Sequence, residues 1–67
     1  MNFNGEELML MMLYSTGSRL GLMQELRLMQ CYLMPDETAL RELAEGIIEK
    51  LKLMTDAQFA EVEFPMD

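Results

Sequence analysis

The stretch Pro35-Asp36-Glu37-Thr38-Ala39-Leu40-Arg41-Glu42-Leu43-Ala44-Glu45-Gly46-Ile47-Ile48-Glu49-Lys50-Leu51 decides the fold class. Leu40, Leu43, Ala44, Ile47, Ile48 and Leu51 recur at three and four residues, the spacing of one apolar stripe on an α-helix. Glu37, Arg41, Glu45 and Glu49 lie on the other side, with Glu37–Arg41 and Arg41–Glu45 spaced as i,i+4 ion pairs of a solvated face. Pro35 suits a first helical turn, because its missing N–H would be unpaired there in any case. Asp36 and Glu37 favour the positive end of the helix dipole, and Lys50 and Lys52 the negative end. The pattern predicts a helix over about 35–54. It is expected to be the central element, packing Leu40, Leu43, Ile47 and Leu51 against its neighbours.

Working outward, three more helices have their own punctuation. Leu22, Leu26, Met29 and Leu33, widened by Leu20 and Met23, predict a helix over about 19–32 with Ser18 as its cap. Gly21 near its start weakens it by up to about 1 kcal/mol relative to Ala. Gly17 supplies the left-handed conformation that commonly ends a helix, so Thr16-Gly17-Ser18 reads as a tight connector joining antiparallel neighbours. Before it, Asn4 and Glu7 form a capping box for a helix over about 4–15. Downstream, Thr55 and Gln58 make a second box for a short helix over about 56–63, with Phe59 and Val62 on its apolar face and Pro65 closing it. No strand-like alternation competes. The expectation is an all-α protein, a small compact bundle of three to four helices forming a single helical domain over residues 1–67.

The first helix departs from this pattern. Leu8-Met9-Leu10-Met11-Met12-Leu13-Tyr14 is apolar on every side, and such a helix expects burial all round. A domain this small buries only roughly 60% of its unfolded surface. At 100° per residue, Leu10, Met11, Leu13 and Tyr14 form one arc, assigned to the core. Leu8, Met9 and Met12 form the opposite arc, left over as a partner-binding surface. The chain has nine methionines, and thioethers serve irregular cores and adaptable binding surfaces alike.

Composition removes several function classes. Twelve acids against five bases leave a net charge of −7, which argues against direct nucleic-acid binding and against anionic membranes. Histidine is absent, so Ser–His and Cys–His nucleophile arrangements are impossible. Glu42, Glu45 and Glu49 share a helical face but lack the Glu-x-x-His partners of di-iron bundles. No phosphate-binding glycine loop or paired-cysteine zinc motif is present. These readings predict a non-enzymatic protein with no cofactor and no metal. The single cysteine, Cys31, excludes an intramolecular disulfide, fits a reducing compartment and reads as an ordinary small apolar residue. The N-terminal residues carry no basic charge ahead of an apolar run of seven, far short of the roughly 20 residues that span a bilayer. Cytoplasmic localisation is expected.

Two stretches bear a family likeness: Thr16-Gly17-Ser18-Arg19 after an apolar helix, and Leu51-Lys52-Leu53-Met54-Thr55-Asp56-Ala57-Gln58-Phe59. With Glu-Leu-Ala in the third helix, they make nearly the whole chain resemble the transposon-transfer assisting proteins of conjugative transposons. The joint K-L-x-x-M-T/S-D-x-x-F is the most specific part, because it combines a helix cap with an anchoring Phe. The resemblance implies a role in moving or regulating a mobile element and carries over no catalytic or binding residue. The expected partner is a protein, either a second copy of the chain or a basic component of DNA-transfer machinery. The rival expectation is an acidic decoy or regulator that occupies a DNA-binding surface of a basic partner. The two differ in salt dependence, since an electrostatic contact is screened and apolar docking is not.

Overall fold

The structure, a computed structural model, describes residues 3–15 and 17–64. Thr16 and Pro65, expected in the connector and at the end of the last helix, lie outside the described residues. Four helices follow one another: α1 (Gly5–Tyr14), α2 (Arg19–Tyr32), α3 (Thr38–Leu53) and α4 (Asp56–Ala60). The all-α bundle expected from the sequence is the observed architecture.

Local signals account for most of the helix ends. The Glu7 N–H donates to Asn4 Oδ1 at 2.8 Å and the Asn4 N–H donates to Glu7 Oε1 at 2.9 Å, closing the first capping box. Ser18 Oγ accepts from the Gly21 N–H at 3.0 Å. Thr55 and Gln58 close the second box with bonds of 2.9 and 3.1 Å. Gly17 holds φ at +92°, the left-handed region that favours glycine. The helix before it ends earlier than expected, at Tyr14, so Gly17 shapes the connector rather than the helix terminus.

Two further boundaries differ from expectation. α3 begins at Thr38 rather than Pro35, because the Glu37 N–H donates to the Met34 carbonyl at 3.0 Å. That bond makes Met34–Glu37 a turn with proline in its second position, where the fixed φ of proline is equally suited. Asp36 and Glu37 thus precede the helix, and Glu37 makes no side-chain capping bond. α4 is five residues long and leaves Val62 beyond its end.

The core is built from Leu10 and Met11 of α1, Leu22, Met23, Leu26 and Met29 of α2, Ala44, Ile47, Ile48 and Leu51 of α3, and Met54. α3 packs against both α1 and α2, as its stripe predicts. α2 and α3 run antiparallel, with the Arg19 guanidinium at the Leu51 carbonyl and the Gln30 side-chain amide at the Arg41 carbonyl. α1 lies against the C-terminal half of α3, where Glu7 meets Lys50. Its absence from the other end corrects one expectation: Leu40, in the first turn of α3, is 36% exposed, whereas Leu43 is half-buried and packs against the core as expected.

Candidate functional site

What α1 shows to solvent is set by a carboxylate. Glu7 is only 5% exposed, and its Oε1 accepts from Lys50 Nζ at 2.6 Å as well as from the Asn4 N–H. Lys50 also lies over the Phe3 ring, 5.4 Å from its centre. The carboxylate lies beside Gly46 of α3, where a Cβ would meet Glu7 Oε2 at an ordinary contact distance of 3.6 Å. Glu7, Leu10, Met11 and Tyr14 therefore form the inward stripe, at the helical spacing of three, four and seven.

That rotation places the predicted partner residues as follows. Met9 and Met12 are 62% and 45% exposed. Leu8 is half-buried and packs against the core beside Phe3 and Met54. Leu13, assigned to the core from the sequence, is 78% exposed and joins the outward face. The correction has a physical cause: Glu7 occupies an inward position that an all-apolar arc would have filled, and turns Leu13 away. Met9, Met12 and Leu13 then stand at i, i+3 and i+4 on one surface, with Glu6 one turn before Met9 on the same side. A capping glutamate three residues after Asn4, facing a lysine at the end of α3, was the available signal. Read only as a cap, it did not reveal the rotation.

The two stretches that carry the family resemblance meet in space. Arg19 Nε donates to Asp56 Oδ1 at 2.8 Å, and its terminal nitrogen donates to the Leu51 carbonyl at 2.8 Å. One side chain thus caps the last turn of α3 and holds the first residue of α4. A cleft of about 470 Å³ lies beside this joint, with Leu20, Phe59, Val62 and Phe64 in its walls. Phe59 packs against the core, half-buried, as expected of the anchor.

Among the described residues, no group of three His, Cys, Asp or Glu side chains is placed to hold a metal ion. None of their buried side-chain nitrogens or oxygens lacks a hydrogen-bond partner, so no orphaned polar group points to a missing ligand. Glu42, Glu45 and Glu49 are exposed, and Glu49 pairs with Lys52 at 3.5 Å. Cys31 is exposed rather than packed. No helix among the described residues is long and apolar enough to cross a membrane.

A protein-family model described as "putative transposon-transfer assisting protein" matches residues 3–65, nearly the full chain. No curated protein and no solved structure matches it.

Proposed function

Starting from the fact that the chain belongs to the transposon-transfer assisting family, we propose that it serves transfer as a non-enzymatic accessory protein, by docking another protein on the solvent face of α1. The observation that carries this reading is the exposed stripe of Met9, Met12 and Leu13. Single exposed apolar residues are ordinary, but adjacent ones on a short helix mark contact sites. Methionine suits such a surface, because its flexible thioether adapts to the shape it meets. Leu8 borders the stripe and becomes part of the contact where the partner reaches the Phe3 side. The compartment that fits is the bacterial cytoplasm.

The test is a pull-down from a host carrying the element, comparing wild type with Met9→Gln/Met12→Gln/Leu13→Gln. The variant is expected to keep its helical circular dichroism spectrum, because none of the three is in the core, and to lose the partners that the wild type captures. Unchanged capture by a folded variant defeats the reading. The acidic-decoy alternative draws on the net charge of −7 and on exposed Glu42, Glu45 and Glu49. It predicts capture that survives the triple substitution and disappears in high salt.

A further inference from the structure

We infer that the occupant of the α1 face is a basic amphipathic helix and not a second copy of this chain; the inference rests on the reading of that face as a docking surface. Its ground is the charge at the two ends of the stripe. Glu6 is exposed one turn before Met9. At the other end, the last turn of α1 carries no basic residue, and unpaired carbonyls give a helix C-terminus partial negative charge. The next cation along the chain, Arg19, is engaged with the Leu51 carbonyl and Asp56. The full charge of Glu6 outweighs the roughly half-unit positive charge of the α1 start, so the apolar stripe has net negative charge at both ends.

The bracket selects among occupants. Laid parallel to α1, a second copy sets Glu6 against Glu6; laid antiparallel, it sets each Glu6 against the other's carbonyl end. Like charge meets like in both directions, which disfavours self-pairing. The area points the same way. Three side chains expose on the order of a few hundred Å², against roughly 800 Å² per partner in a standard stable interface. A slim element such as one helix fits that footprint better than a globular copy. Eight residues separate Glu6 from Tyr14, about 12 Å at 1.5 Å per residue. A complementary helix carries an apolar stripe flanked by Lys or Arg seven or eight residues apart, the helix-in-groove mode of peptide recognition with charge fixing its register.

A synthetic amphipathic helix with a leucine stripe and flanking lysines at that spacing tests the inference, beside a twin with glutamates for the lysines. Binding to the full chain is measured by fluorescence anisotropy at about 50 and 300 mM salt. The lysine peptide is expected to bind at least about tenfold more tightly than its twin. Glu6→Gln weakens it several-fold, and Met9→Gln/Met12→Gln/Leu13→Gln abolishes it. Equal binding of both peptides, or lysine-peptide binding that persists in the triple variant, overturns the inference. Sedimentation of the same proteins separates the two levels. Self-association lost in the triple variant makes the second copy the occupant and leaves the docking surface standing. A monomer whose triple variant keeps all its captured partners removes both.

Discussion

Glu7 is a side chain whose removal should be felt through two helices at once, and its effect can be worked out in advance. Replacing it with Ala opens the reciprocal half of the Asn4 capping box, typically about 1 kcal/mol. It also takes away the carboxylate that Lys50 Nζ meets at 2.6 Å. Breaking a fully buried ion pair from one side costs about 3–5 kcal/mol. The Lys50 side chain is 31% exposed, so water recovers part of that, and about half is the better figure. The total is about 2.5–3.5 kcal/mol, against on the order of 5 kcal/mol for a domain of this size. At about 4–8 °C per kcal/mol, the midpoint of thermal unfolding should fall by roughly 10–28 °C. Glu7→Gln retains an acceptor for the Asn4 N–H and loses only the charge, so it should show the smaller part of the effect. Circular dichroism melts of Glu7→Gln, Lys50→Met and the double variant form a cycle, with an expected coupling of about 1 kcal/mol or more. Glu7→Leu/Lys50→Met should recover most of the loss, since apolar pairs of similar volume often replace buried ion pairs at no net cost. A Glu7→Ala midpoint within about 3 °C of wild type, or a cycle with no coupling, refutes the claim that this pair fixes α1 on α3.

Three other positions give sharp outcomes. Arg19→Gln should release α4 while leaving the three longer helices folded, seen as faster amide exchange across residues 56–62. Asp56→Asn should change stability by less than about 0.5 kcal/mol, because that carboxylate is 81% exposed and exposed ion pairs contribute little. If the two substitutions act equally, the Leu51 carbonyl bond is not the working half of the Arg19 contact. Gly46→Ala should raise stability by up to about 1 kcal/mol, since alanine is the better helix former and its methyl would meet Glu7 Oε2 at an ordinary 3.6 Å; a lower urea midpoint would show that Glu7 needs a closer approach than that.

The sequence by itself determined the four helices, their order and most of their caps. These depend on contacts three or four residues apart: the Asn4–Glu7 and Thr55–Gln58 boxes and the Ile47–Leu51 stripe. Ser18 and Gly17 mark the connector for the same reason. Proline was the exception at Pro35, because its fixed φ serves a turn and a first helical turn equally well. The tertiary structure alone decided which way α1 faces. A helix apolar on every side has no preferred rotation of its own, so its orientation was left to a bond between Glu7 and Lys50, 43 residues apart. That bond buries Glu7, turns Leu13 to solvent and tucks Leu8 toward Phe3. The Arg19 clasp spans 37 residues to Asp56 and was equally hidden, although both ends lie within stretches that stand out in the sequence. Local periodicity encodes that a helix forms; its rotation and its neighbours depend on contacts that exist only once the chain has closed on itself.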